Sequence, residues 1–124
     1  MKILIVEDDK FLSELISTKL TKEGYEVSIA LDGETGLEKA KTEKPGIVLL
    51  DILLPGISGF EVLEQIKKSE DSAVKNIPVL ILSNFGQESK VQQGLSLGAV
   101  DYLVKANFTT GEIVEKIRAI MAKK

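Results

Sequence analysis

Ile47-Val48-Leu49-Leu50-Asp51-Ile52-Leu53-Leu54-Pro55-Gly56-Ile57-Ser58-Gly59 is the stretch whose reading decides the fold. Four consecutive apolar residues, Ile47 to Leu50, fit a short strand buried on both faces rather than one that alternates between core and water. The run ends on a carboxylate, Asp51, which is costly to bury unless something compensates it. Pro55 and Gly56 then mark a turn, and Ser58 with Glu61 has the spacing of a helix cap. Strand, acid, turn and capped helix in this order place the oxygens of Asp51 at the mouth of a sheet.

The same grammar recurs on both sides. Residues 2 to 7 form an apolar run that ends in Glu7, Asp8 and Asp9, and Asp9 is expected to start a helix. Phe11, Leu12, Leu15, Ile16 and Leu20 follow at helical spacing, and Gly24 supplies a stop. Val27 and Ile29 alternate with polar residues, as on an edge strand. Asp32 or a neighbour caps a second helix with Leu37 and Ala40, which ends before Pro45. Beyond the central strand, Phe60, Leu63 and Ile66 line one helical stripe. Pro78 opens a fourth run, Val79 to Leu82, which ends at Ser83. The helix expected over 87–97 carries Val91 and Leu95 but also Gly94, and an interior glycine costs about 1 kcal/mol relative to alanine. Tyr102 to Val104 make a fifth strand ending at Lys105, and Thr109 with Glu112 reads as a capping box ahead of Ile113, Val114, Ile117 and Ile120. Phe11, Phe60 and Phe108 are assigned to packing.

Five strands alternating with five helices predict an α/β fold, a doubly wound (βα)5 parallel five-stranded sheet covered on both faces. At 124 residues the chain fits a single domain, 1–124. A net charge of −3, with Lys and Arg scattered among Glu, argues against direct nucleic-acid binding, which shows as a concentrated basic patch. With no cysteine, disulfides and zinc–thiolate sites are excluded. With no histidine, any imidazole chemistry belongs to a partner. The N-terminal apolar run is too short for a signal core or a membrane span, so the expected setting is cytoplasmic, with no membrane partner.

Ligands of such sheets sit outside the carboxyl ends of the strands. Glu7 and Asp8, Asp51, Ser83 and Lys105 stand at the ends of four different strands. Three carboxylates held together repel, and a hard divalent cation relieves them. Mg²⁺, with Mn²⁺ as the alternative, accepts carboxylates while keeping room for phosphate oxygens. Glu7, Asp8 and Asp51 contribute three negative charges, the metal two positive and Lys105 one, which leaves the site near neutral. Beside a metal and an ammonium, Asp51 can attack phosphorus and form an aspartyl phosphate, with Ser83 donating to a phosphoryl oxygen.

At these positions the sequence resembles the receiver domain of bacterial two-component response regulators, the CheY-like family, over essentially its whole length. The resemblance implies a flavodoxin-like strand order 2-1-3-4-5 and a set of roles. Glu7-Asp8 match the acidic pair, with Asp8 the direct metal ligand and Glu7 acting mainly through water. Asp51 matches the phosphoacceptor, Leu53 the position whose backbone carbonyl completes the metal shell, Ser83 the switch hydroxyl, Tyr102 the switch aromatic and Lys105 the phosphate-binding lysine. It implies phosphorelay signal transduction: a histidine kinase or histidine phosphotransfer protein donates the phosphoryl group. Ser83 then moves toward it, Tyr102 turns into the vacated space, and the fourth-helix, fifth-strand and fifth-helix surface changes. Output passes to a downstream protein target, with a phosphorylation-dependent homodimer as a further outcome. On this reading the chain is not an enzyme, catalysing only its own phosphorylation and dephosphorylation.

Two residues depart from the family pattern. Ala106 stands where proline usually follows the lysine, and a cis bond before a non-proline costs about 3 kcal/mol, so a trans Lys105–Ala106 bond is expected. Leu53 and Phe85, whose counterparts shape water access to the phosphoryl group, are both apolar, which predicts slow hydrolysis. Three rivals are weighed. A haloacid-dehalogenase-like phosphatase needs a second acid where Leu53 stands. A flavodoxin-like flavin binder needs a phosphate cradle where Glu7-Asp8-Asp9 would repel phosphate. A phosphorylation-independent pseudo-receiver is favoured only by Ala106. The chain suits a complete regulator and an excised receiver equally.

Overall fold

The computed structural model describes residues 1–123. The elements are β1 (Lys2–Val6), α1 (Lys10–Lys22), β2 (Glu26–Ala30), α2 (Gly33–Glu43), β3 (Ile47–Leu50), α3 (Gly59–Lys67), α4 (Ser72–Lys75), β4 (Val79–Ser83), α5 (Glu88–Ser96), β5 (Asp101–Val104) and α6 (Thr110–Ala122). A 3-10 turn, Lys105–Asn107, links β5 to α6. All strand pairings are parallel, in the order β2-β1-β3-β4-β5. The doubly wound α/β arrangement expected from the alternation is therefore present, with the strand order that the resemblance implied.

Alternation along the strands divides the core. Leu4, Val6, Val48, Leu50, Val79, Ile81 and Tyr102 face one cluster, closed by residues of α2, α3 and α5. Ile3, Ile5, Ile47, Leu49, Leu80, Leu82 and Leu103 face the other, closed by α1 and α6. Both faces are covered, which is why β1, β3 and β4 read as unbroken apolar runs. The caps follow the sequence. Asp9, Asp32 and Ser58 accept from the backbone N–H groups of Leu12, Thr35 and Glu61, and Thr109 with Glu112 completes a reciprocal capping box.

The structure corrects three expectations. The one-turn helix α4 has no place in the five-helix reading, because four residues are too few to show a period. It is held by Lys67, whose ammonium donates to the carbonyls of Lys75 (3.2 Å) and Ile77 (2.8 Å). Phe11 is not packed but 78% exposed. The inward stripe of α1 runs through Ser13, Ile16 and Leu20, and Phe11 lies roughly 200° around the helix from Ser13. Leu95 is likewise exposed on α5, whose buried position is Gly94. Among the described residues no helix is long and apolar enough to cross a membrane.

Candidate functional site

Register brings the strand ends together. Val6 pairs with Leu50 and Leu50 with Ile81, so Glu7 and Asp51 leave adjacent strands side by side. Asp51 donates its N–H to Val6 (3.0 Å), and Glu7 donates its own to Ala30 (3.0 Å). Ser83 pairs with Val104, which sets Lys105 one residue beyond. By alternation Glu7, Asp51 and Lys105 follow the residues that face α1 and α6, whereas Ser83 follows those that face α3 and α5.

The acids and the lysine meet. Lys105 Nζ lies 2.7 Å from Glu7 Oε1 and 3.0 Å from Asp51 Oδ2. The other oxygens are also held: Glu7 Oε2 accepts the Asp9 N–H (3.1 Å) and Asp51 Oδ1 the Ile52 N–H (2.7 Å). Glu7 is 3% exposed and Asp51 5%, while Asp8 is open to solvent. Glu7, Asp8 and Asp51 each offer an oxygen within 4.8 Å of the other two. The Lys105–Ala106 bond is trans, since no cis peptide occurs among the described residues, and Lys105 reaches the pocket all the same.

Two buried carboxylates share one ammonium, so one negative charge is uncompensated before Asp8 is counted. Burial, reinforced by the charge on Asp51, pushes the Glu7 carboxyl up to about 7 from its ordinary value near 4.5, against the opposing pull of Lys105 and the Asp9 N–H. Burial works to lower the Lys105 ammonium, but its bonds to Glu7 and Asp51 outweigh that and hold it above its ordinary range. The surplus negative charge is what a divalent cation would cancel. Each carboxylate oxygen keeps a second lone pair for a ligand bond, so the residues fit a hard metal ion.

This electrostatic imbalance predicts a pH dependence. The folded Glu7 carboxyl holds its proton more tightly than the unfolded one. Its contribution to stability is thus complete below about pH 4.5 and lost as pH rises through about 7. Denaturation midpoints measured in chelator should fall between about pH 5 and pH 8, and Glu7→Gln, which cannot ionise, should flatten that fall. An equal slope in both proteins would discount Glu7 as its source.

On the other face Ser83 is fully buried, and its Oγ accepts the Phe85 N–H (3.0 Å), leaving the hydroxyl proton available. Tyr102 is 8% exposed and its hydroxyl donates to the Phe85 carbonyl (2.6 Å). This is the inward position that the resemblance assigned to Tyr102 after phosphorylation. Leu53 lies on the loop after β3 and is 66% exposed. Phe85, by contrast, packs partly against the α3–α5 side of the core, and Lys90 Nζ stands 5.8 Å from the Phe60 ring centre and 6.0 Å from that of Phe85.

Sequence reasoning missed Gly59. Its N–H donates to Ile52 (2.8 Å), and a side-chain carbon there would overlap the Asp51 carbonyl oxygen. A lone glycine at a helix start carries no signal of such an approach.

Comparison with known proteins gives the same picture. The alkaline phosphatase synthesis transcriptional regulatory protein PhoP of Bacillus subtilis (strain 168) is 37% identical over 122 residues, 98% of this chain and 49% of that protein. The chain thus spans about half the length of this relative. As the relative is named a transcriptional regulator, it lends no support to the expectation that nucleic acid is no direct partner. Among solved structures, the chemotaxis response regulator CheY4 of Vibrio cholerae superposes with a TM-score of 0.85 at 29% identity, covering 96% of this chain and 97% of that one. The BeF3-activated N-terminal receiver domain of RstA from Klebsiella pneumoniae does so with 0.84 at 28% identity, covering 98% of each. The family model described as the response regulator receiver domain matches residues 3–118. With that match laid over this acidic, lysine-bridged strand-end pocket, the chain belongs to the response regulator receiver domain family.

Proposed function

We propose that Asp51 accepts a phosphoryl group from the phosphohistidine of a histidine kinase or histidine phosphotransfer protein, and that this signal leaves through the surface of α5, β5 and α6. The observation that carries the reading is the convergence of Glu7, Asp8 and Asp51 within 4.8 Å, with Lys105 bridging the two buried acids.

The residues divide the work. Lys105 and the Ile52 N–H hold the Asp51 carboxylate in place, so its attack on phosphorus needs little reorganisation. As the new O–P bond forms, the P–N bond of the donor breaks and the imidazole leaves with the electron pair. The Lys105 ammonium neutralises charge on the transferring oxygens, and the Ser83 hydroxyl donates to one of them. Glu7, Asp8, Asp51 and the Leu53 carbonyl would hold Mg²⁺, or Mn²⁺, which supplies charge neutralisation at the phosphoryl oxygens when bound. The chain processes only its own acyl phosphate and turns over no other substrate.

An aspartyl phosphate adds charge and strong acceptor oxygens at the sheet mouth. Drawing Ser83 toward them alters its bond to Phe85, whose carbonyl holds Tyr102. Phosphorylation then favours one of two pre-existing arrangements of the α5 side, and the buried Tyr102 seen here belongs to the favoured one. The BeF3-activated receiver of RstA is similar in fold, which supports beryllofluoride as a probe for this chain. The readers of the altered surface are a downstream protein target or a second copy of the chain, in the cytoplasm.

Intact-mass measurement after acetyl phosphate treatment tests the proposal. One phosphoryl mass should appear with Mg²⁺, vanish with chelator and be absent from Asp51→Asn. Steady release of phosphate in excess of protein would instead indicate a phosphatase, and an unmodified parent would overturn the reading. A further expectation concerns lifetime. Phe85 is packed and apolar, so Phe85→Asn should admit water and raise the rate of phosphate loss about fivefold, a barrier change of about 1 kcal/mol. An unchanged rate, followed by mass decay, would remove Phe85 as the shield.

A further inference from the structure

The Phe85 backbone joins the two switch side chains, taking the Tyr102 hydroxyl on its carbonyl and giving its N–H to Ser83 Oγ. Tyr102 can lie this deep because α5 comes close to β5. That approach depends on Gly94, the buried position of α5. A side-chain carbon built at Gly94 would stand 2.6 Å from Ile81 Cδ1 and 3.1 Å from Tyr102 Cδ2. Helix formation favours alanine over an interior glycine by about 1 kcal/mol, and α5 has little to spare, since its N-cap Gln87 makes no side-chain capping bond. The chain thus forgoes local helix stability at the one turn where a methyl group would press on the ring.

We propose that Gly94 is a positioning residue for the switch: its missing side chain seats Tyr102 against α5, with the hydroxyl in reach of the Phe85 carbonyl. This rests on the reading of Asp51 as phosphoacceptor. Replacing Gly94 by alanine pushes the ring outward and weakens the link to Ser83. By linkage, it also weakens binding of a phosphoryl mimic at Asp51, which the added carbon does not touch.

The sequence has two tyrosines and no tryptophan, so a Tyr25→Phe background makes Tyr102 the single fluorophore. In that chain, acrylamide quenching of Tyr102 and titration with beryllofluoride in Mg²⁺ are compared with and without Gly94→Ala. The expected result is stronger quenching in the alanine variant and about a fivefold loss of beryllofluoride affinity. For Gly94→Ala set against the parent in a Tyr25→Phe, Tyr102→Ala background, where no ring needs a seat, the affinity should change by less than about twofold. There the titration is followed by amide NMR shifts. Adding Ile81→Val, which removes Cδ1, keeps the test open if the single alanine variant folds poorly. Unchanged quenching, or an equal affinity loss without the tyrosine ring, would overturn the role of Gly94. A parent that takes up no beryllofluoride would instead overturn the phosphoacceptor reading, and the quenching comparison would still judge the seat.

Discussion

Lys105→Ala should lower the rate of Asp51 phosphorylation by acetyl phosphate about 100-fold while leaving the fold intact in Mg²⁺. Its ammonium bridges two buried carboxylates, 2.7 Å from Glu7 and 3.0 Å from Asp51, and is the one cation paired with them among the described residues. Removing it deletes the donor that neutralises the transferring oxygens and leaves both acids facing each other. Breaking a buried pair commonly costs about 3–5 kcal/mol. Here the lysine is slightly open to water and the acids can take up a proton, so about 2 kcal/mol is the expected loss in chelator near pH 8. The loss should shrink near pH 5, where protonation removes the repulsion, and Mg²⁺ should restore much of it by cancelling the same charge. Parent and variant are compared by denaturant midpoint with and without metal, and by the rate of mass gain. Equal rates would remove Lys105 from the chemistry, and equal midpoints would show that the acids do not depend on it.

Gly59→Ala should destabilise the fold by about 3 kcal/mol and disturb the phosphoacceptor with it. At an ordinary helical position the exchange would be favourable by up to about 1 kcal/mol. At Gly59 the added carbon would overlap the Asp51 carbonyl oxygen and stand 2.8 Å from both the Asp51 carbonyl carbon and Ile52 Cα. These are backbone atoms of β3 and its loop, so no side chain can rotate out of the way. Relief requires α3 to retreat, which stretches the Gly59–Ile52 hydrogen bond and moves the peptide that carries Asp51. The denaturant midpoint reports the first effect, and Mg²⁺-dependent phosphorylation at a temperature where the variant is folded reports the second. A midpoint equal to the parent's would mean that the loop yields without cost.

The fold was legible because both kinds of period were clean. Ile3 to Val6, Ile47 to Leu50 and Val79 to Leu82 are unbroken because each strand is covered on two sides. The caps at Asp9, Asp32, Ser58 and Thr109 stood where helix starts need acceptors. Glu7, Asp51, Ser83 and Lys105 were legible as strand-end residues because parallel sheets gather such ends at one edge. What stayed hidden depends on helix rotation and on close approach. Phe11 fitted an apolar stripe, yet small polar Ser13 takes the inward position, bonding to the Lys10 carbonyl (3.2 Å). Gly59 and Gly94 are defined by backbone or side-chain atoms of neighbouring elements that only the tertiary fold brings close, which no local pattern encodes. The burial of Tyr102 is likewise a tertiary fact.

The division of the core by strand alternation sets a rule for how this chain tolerates length changes. Glu7, Asp51 and Lys105 are in phase with the residues beneath α1 and α6, while Tyr102 is in phase with those beneath α5. Inserting a single residue into β1, β3 or β5 would rotate that strand's tip to the opposite side of the partition and strand its charge among hydrocarbon. Only paired insertions would restore the phase, so strand length is constrained as tightly as residue type.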